Sequence, residues 1–279
     1  MHLKKIFALM LACILTAAIF TGCGEEKEIA PVIKIGMLEH LNASEIEFNG
    51  FMKSIAETFA LDMPAHEVKY FTNSNSMVMA LQSGQIDEIS TYKCVADYLA
   101  ARYPKVQILE GHTLEFIDAF CFALRAEDTE LIKDANNAIL EMRNDGTLDR
   151  LTKEYINDVK GDASIIAVDF DNFADADTIK IAVTGDLPPL DFVSVDGKPA
   201  GFNTAVLAEL GRRLHKNINI VQIDSTARAA ALTSKQADIV FWAIVPVSEI
   251  IPANADKPDG IELTSPYYRG RLVHIGLKK

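Results

Sequence analysis

Short apolar runs alternate with segments of helical spacing along almost the whole chain, and that alternation restricts the fold more than any other feature. Val32 to Leu38, Val68 to Phe71, Ile86 to Thr91 and Val106 to Leu109 read as strands. Between the first two, Ser44 and Glu47 have the spacing of a capping box, and Phe48, Phe51, Met52, Ile55 and Phe59 fall on one helical face. Ser76 can cap a short helix running to Leu81, which Gly84 stops. Val95, Tyr98 and Leu99 lie along another, ended near Pro104. Ile117 to Leu124 is a long apolar strand. The amphipathic pattern Leu131, Ile132, Ala135, Ala138, Ile139, Met142 follows, and then a break at Asn144-Asp145-Gly146. Thr147 starts a further helix with Leu148, Leu151 and Tyr155 inward. Strands that alternate with helices predict an α/β fold with a parallel sheet covered on both faces.

The second half repeats the rhythm around Lys180 to Asn203. A strand, Ile181 to Val183, runs into Gly185-Asp186-Leu187-Pro188-Pro189. Pro188 fixes its own φ and drives Leu187 toward an extended conformation, so the loop is stiff. Phe192 to Val195 reads as the first arm of a hairpin turned by Asp196-Gly197, and Asn203 or Thr204 as the N-cap of a helix with Val206, Leu207, Leu210 and Leu214 inward. A stiff loop at the carboxyl end of a strand, followed by a helix N-terminus, is where open α/β sheets bind small molecules. Further strands are predicted at Ile218 to Ile223, Ile239 to Ala243 and Leu272 to Leu277, with a short helix at Thr226 to Leu232. Residues 159–177, acidic and polar apart from Ile165 to Val168, read as a linker.

One internal echo joins the halves. Ala80-Leu81-Gln82-Ser83-Gly84-Gln85-Ile86-Asp87 matches Ala231-Leu232-Thr233-Ser234-Lys235-Gln236-Ala237-Asp238. Both are a helix end, a turn and a strand start, which points to similar positions in two related α/β lobes.

Lys4 and Lys5 precede an apolar run, Ile6 to Phe20, too short to span a bilayer comfortably, and small residues follow it. Phe20-Thr21-Gly22-Cys23 resembles a bacterial lipobox, which implies a signal peptide over 1–22, lipidation of Cys23 and a polar tether over 23–30. The alternative is a plain secretory signal with an incidental cysteine. The net charge of −12 and the absence of a basic patch argue against a nucleic-acid partner. Of the four cysteines, Cys13 leaves with the signal, and Cys94 and Cys121 remain either as a disulfide or as two buried thiols. Neither lies in a metal-binding or nucleophilic pattern.

The stretches TGDLPPLDFVSVDGKPAGFNTAVLAELGRRL, ALTSKQADIVFWAI and LTSPYYRGRLVHIGLK resemble the first lobe of the bacterial extracellular solute-binding proteins, family 3, the amino-acid-type receptors of ABC importers. Residues 33–110 resemble the second lobe, and 116–156 its returning strand and C-terminal helices. The resemblance implies a two-lobe, type II periplasmic-binding fold that is circularly permuted. Residues 31–118 would form one lobe and 119–279 the other, the latter made of C-terminal helices 128–156, a linker 157–178 and the part 179–279. The rival arrangement is two incomplete modules in tandem. The resemblance also implies an extracytoplasmic, lipid-anchored, monomeric protein whose partners are a small-molecule ligand and an ABC permease, with no catalytic residue, cofactor or metal.

In the family an Arg after the strand that begins at Asp238 takes a ligand carboxylate, and an Asp after the strand that begins at Asp87 takes the ammonium. Here Ile250 and Tyr92 stand near those positions, and Leu187 replaces an aromatic. A standard amino acid held in the usual way would leave a charge unpaired in a closed cleft, at a cost of several kcal/mol. The remaining cleft candidates are Asp186, Leu187, Asp191, Trp242, Ala243 and Val245 from one lobe, and Glu39, His40, Asn42 and Tyr92 from the other. Trp242 can stack on a ligand ring or belong to the core; Glu39 and Asp186 can take a cationic group or stay solvated. His40 can meet an anion at a helix start or sit on a surface loop. The rival functions are a sensor or adaptor of the same fold that has lost its ligand, and a periplasmic dehydratase, for which Glu39 with His40 is the one adjacent acid/base pair.

Overall fold

A computed structural model of the protein describes residues 32–38, 66–110, 117–159, 167–194, 196–244, 257 and 259–278. The segments read as a signal peptide and a tether, Cys23 among them, and the helix predicted after Ser44 lie outside the described residues. Ten strands of the described residues form one mixed sheet, ordered β10-β6-β11-β5-β13-β3-β1-β2, with β12 added beside β5 and β4 beside β13.

The amino-terminal half-sheet is parallel at its first three strands, as predicted, whereas Val106–Leu109 pairs antiparallel with Tyr268–Leu277. β1 (Ile33–Leu38) pairs in parallel with β2 (His66–Phe71) and β3 (Glu88–Tyr92). Helices α1 (Ser74–Gln82) and α2 (Lys93–Arg102) cover it, and β4 (Val106–Leu109) closes this half. The carboxy-terminal half-sheet places β6 (Thr178–Val183) between β10 (Asn217–Gln222) and β11 (Ile239–Ile244), all parallel. β5 (Ile117–Arg125) then lies antiparallel to β11, and β12 (Ile261–Leu263) antiparallel to β5. Helices α3 (Thr129–Asn144) and α4 (Thr147–Thr152, continued as a π turn over Lys153–Asn157) pack against α5 (Phe202–Leu214) on this half; α6 (Arg228–Thr233) follows a 3-10 turn at Ser225–Ala227. Arg213 of α5 fixes the α3–α4 turn by donating to Asp145 Oδ2 at 2.6 Å and Thr147 Oγ1 at 3.2 Å.

One strand belongs to both halves. Tyr268 to Arg271 of β13 (Tyr268–Leu277) pair antiparallel with β5, and Leu272 to Gly276 pair antiparallel with β3. The sequence-based division places all of 119–279 in one lobe. In the structure the strand starts at Tyr268, before the apolar run, so Tyr268–Arg271 pair with β5 and the apolar run from Leu272 pairs in the other half. The main core runs across the junction, joining Met77, Ile89 and Val95 of one half to Phe122, Ile139 and Leu207 of the other. Two modules folded separately would not share a strand and a core.

The echo has a common physical basis. Asp87 Oδ2 accepts the Lys34 amide at 2.8 Å while its own amide donates to the Lys34 carbonyl at 2.8 Å. Asp238 makes the same pair with Lys180, at 2.9 Å and 2.7 Å. In each half an aspartate after the turn clips the neighbouring parallel strand in register.

Three of the boundaries that shift have a local cause. α1 starts at Ser74 rather than after Ser76, because the Asn73 side chain accepts the Ser76 amide at 2.9 Å and takes the capping role. α5 starts at Phe202 with Gly201 in the N-cap place, rather than being capped by Asn203 or Thr204. Gly201 has φ +104°, and a Cβ there would lie 2.5 Å from the Leu190 carbonyl oxygen, so only glycine lets the chain turn into the helix so close to the preceding loop. The third strand spans Glu88–Tyr92, shifted from Ile86 to Thr91, since Asp87 is used by its clip. Cys94 and Cys121 are both buried and free, which answers the two alternatives in favour of thiols; burial pushes them up to about 12 and about 11.

Candidate functional site

The Thr184–Asp191 loop is built by its own backbone. Asp186–Leu187 form a short strand, β7, antiparallel to β8 (Asp191–Val193), and β8 pairs with β9 (Pro199–Ala200). The extended Leu187 expected from Pro188 is thus drawn into a three-stranded ribbon. The Leu190 amide closes the turn on the Leu187 carbonyl at 2.8 Å. The hairpin turn at Asp196-Gly197 is present, with the Ser194 amide donating to the Lys198 carbonyl at 2.8 Å.

Asp191 is 4% exposed and turns back into this loop. Its Oδ2 accepts the Thr184 hydroxyl at 2.9 Å and the Gly185 amide at 3.0 Å. It therefore fixes the loop and has little left to offer a ligand. Asp186 points the other way. Its Oδ2 accepts the amide of Ser74, the first residue of α1 in the opposite half, at 2.7 Å. Burial raises the Asp186 carboxyl above its ordinary value; the Ser74 amide, the Thr184 hydroxyl and Arg228 pull it down, and the like charge of Asp191 pushes it up. Leu187 packs against the main core.

On the other side Tyr92 ends β3 and precedes α2. Its hydroxyl donates to Asp118 Oδ2 at 2.9 Å, and its ring stands 4.7 Å from Phe120 in an edge contact. Tyr268 of the crossing strand lies 5.4 Å from Phe120 and 5.0 Å from Phe202. Gly270 opposite Asp118 leaves room for this aromatic wall; a Cβ there would meet Phe120 at 2.7 Å and Tyr92 at 3.0 Å. Asp118 is 7% exposed, and its Oδ1 has no hydrogen-bond partner among the described residues. Burial pushes its carboxyl to about 6 against the pull of the Tyr92 hydroxyl, and burial also holds the Tyr92 phenol well above its usual range.

Trp242 resolves to the core. It is fully buried with Ala123, Ala182, Leu232 and Val240, so its indole offers no face to a cleft. Ala243 sits beside it on β11, its backbone opposite Phe120. Glu39, His40, Asn42 and Val245 lie outside the described residues, as does Ile250. The structure thus brings Asp186, Asp191 and Leu187 together in one loop and sets Tyr92 across the junction. It adds Ser74, Thr184, Asp118 and Arg228, which sequence reading missed. Asn73 before an apolar helical run was the signal for the α1 start; no local pattern joins Asp118 to Tyr92 or Ser74 to Asp186. Among the described residues no group of three or more His, Cys, Asp or Glu is placed to hold a metal, and no helix is long and apolar enough to cross a membrane.

Several solved structures are similar. The ligand-binding component of an ABC-type import system from Staphylococcus aureus, with zinc bound, is 13% identical at a TM-score of 0.46, over 88% of this chain and 66% of that one. The GluR0 ligand-binding core from Nostoc punctiforme with L-glutamate is 12% identical at 0.39, over 88% and 85%. A nutrient-binding protein from Burkholderia cenocepacia bound to methionine is 12% identical at 0.39, over 88% and 85%. The chain spans just under two thirds of the first of these. No curated protein matches in sequence. The loop and its flanks, from β6 through the ribbon, α5, β10 and α6 to the residues just after β11, carry the match to a family, and that family is the bacterial extracellular solute-binding proteins, family 3, over residues 179–249.

Proposed function

We propose that this chain is an extracytoplasmic solute-binding lipoprotein that captures a small polar ligand between two lobes and delivers it to an ABC importer. The family match over 179–249 carries the reading, because it falls on the strand, the helix start and the stiff loop between them whose Asp186 reaches the Ser74 amide in the other half. Binding needs closure and complementary contacts, not a catalytic group, so the protein acts without chemistry on its ligand. A circular permutation of the family order is supported by β5, α3 and α4, which precede the matched segment in the chain yet complete the same half as β6, β11 and α5. Cys23 would carry the lipid, and Cys23→Ala would release the protein from the membrane fraction. Native mass spectrometry of the protein purified from its host, followed by a thermal-shift screen of amino acids, amines and small peptides, tests the binding reading. A co-purifying small molecule that raises Tm on re-addition supports it.

A second reading has a specific observation behind it. Asp186, Asp191 and Tyr92 already have partners within the protein, which suits a sensor or adaptor that signals through a protein partner. No co-purifying molecule and no stabilisation by any compound would favour it.

A further inference from the structure

α1 exposes the amides of its first turn toward the opposite half, as every helix does at its start. One of those amides is satisfied locally, Ser76 donating to the Asn73 side chain at 2.9 Å, and the regular ladder starts with Met77 to the Asn73 carbonyl at 3.4 Å. Ser74 instead donates across the junction to Asp186 Oδ2 at 2.7 Å, from a residue 112 positions away. The acceptor is held rigidly. β7 pairs Asp186 with Phe192, and Asp191 binds the loop behind it through Thr184 and Gly185. The charge is suited to its place, since a carboxylate at the head of a helix faces the positive end of the helix dipole.

We propose that Asp186 is a built-in latch: it closes the matched lobe onto α1 by putting the protein's own carboxylate where an anionic ligand group would dock. Ser74 is 4% exposed, so the contact is sealed on the α1 side. Burial is the largest influence on the Asp186 carboxyl and raises it, the Ser74 amide opposes that, and the charges of Asp191 and Arg228 act on it more weakly in opposite directions. Closure in this protein then has a component that no ligand supplies. The proposal is independent of the transport reading, because it rests on a contact between two parts of the chain.

Three variants of the mature protein, stripped of ligand by denaturation, dialysis and refolding, test it by small-angle scattering and amide exchange. Asp186→Ala removes the acceptor. Ser74→Pro removes only the donor, and it keeps every loop side chain. Ser74 is the first helical residue, where proline is well accommodated, and Asn73 before it is already extended at φ −146°, ψ 155°. Asp186→Asn keeps an oxygen that accepts the same amide. Both Asp186→Ala and Ser74→Pro should enlarge the radius of gyration and shift the closed-to-open ratio by roughly tenfold to a hundredfold, the loss of one charge-assisted hydrogen bond. Exchange should quicken in α1 and β7 and not in α3, with the far-UV spectrum unchanged. Asp186→Asn, which keeps the acceptor and loses the charge, should open less than Asp186→Ala. Parent dimensions in both Asp186→Ala and Ser74→Pro, or an opening of Asp186→Asn equal to that of Asp186→Ala, would overturn the latch. Loss of the fold in Asp186→Ala leaves Ser74→Pro to decide.

Discussion

The two Asp-clipped turns, Ala80–Asp87 and Ala231–Asp238, are the same device at two strengths. Each ends a helix with a left-handed residue, Gly84 at φ +72° and Lys235 at φ +59°, and returns to a parallel strand through an aspartate that grips a lysine backbone. The carboxy-terminal copy adds Arg125. Its guanidinium donates to the carbonyls of Leu232 at 3.2 Å and Ala237 at 2.6 Å and pairs with Asp238 at 2.7 Å, with only 11% of its side chain exposed. Among the described residues no arginine plays that part in the amino-terminal copy, and Asp87 is exposed. One clip is therefore a backbone bond in solvent; the other is a partly buried, charge-assisted network. The lesson is that a repeated sequence fixes the geometry of a turn, while its energy depends on what a distant strand brings to it.

The comparison can be broken by experiment, beginning with the larger effects. Asp238→Ala should cost about 3 kcal/mol in chemical denaturation, since it removes a charge-assisted bond from the mostly buried Arg125, which keeps Asp128 and two carbonyls, and the acceptor of the Lys180 amide. Equal losses for Asp238→Ala and Asp87→Ala would refute the difference drawn above. Asp118→Asn locates the pH dependence away from either turn. Its folded pKa of about 6 lies above the ordinary 3.8, so the acid form is the one the fold favours. The stability that Asp118 contributes is full below pH 3.8 and fades as pH rises through about 6. Asp118→Asn should remove that slope and gain on the order of 2 kcal/mol at pH 7, read from denaturation at several pH values. A parallel slope in the variant would show that another group is responsible. Asp87→Ala should cost about 1 kcal/mol, the worth of one hydrogen bond near solvent. The smallest effect belongs to the left-handed positions. Gly84→Ala should cost about 1 kcal/mol from backbone strain alone, because a Cβ there meets nothing within 4 Å. Lys235→Gly should gain less than about 1 kcal/mol, since it relieves the same strain but loses the exposed pair with Glu127.

Legibility in the sequence followed the range of the interaction. The strands and helices, and the kinship of the two turns, were visible because apolar periodicity and an Asp after a helix stop are local. The boundaries that moved did so for contacts made outside the element: Gly201 against the Leu190 carbonyl, and Asn73 over Ser76. The site was legible as a loop but not as a set of partners. Asp186 could be named as a carboxylate in a stiff loop; that it meets Ser74 depends on the placing of one half against the other. Asp118 was hidden because a lone acidic residue near the start of an apolar strand reads as a strand boundary, whereas here it is buried beneath Tyr92. Trp242 was ambiguous for the opposite reason, since a strand-end aromatic has the same spelling whether it faces a cleft or a helix layer.

The strand shared by both halves also sets an order of assembly. Tyr268–Leu277 lies in the middle of the sheet, and every strand it pairs with precedes it by more than a hundred residues. β3 and β4 gain their antiparallel neighbour only when it arrives, as does the starting end of β5. A growing polypeptide short of residue 268 can hold helices and parallel pairs, but neither half has its central seam. Pairing across so long a separation in sequence slows folding and leaves both halves loosely held until the shared strand is in place.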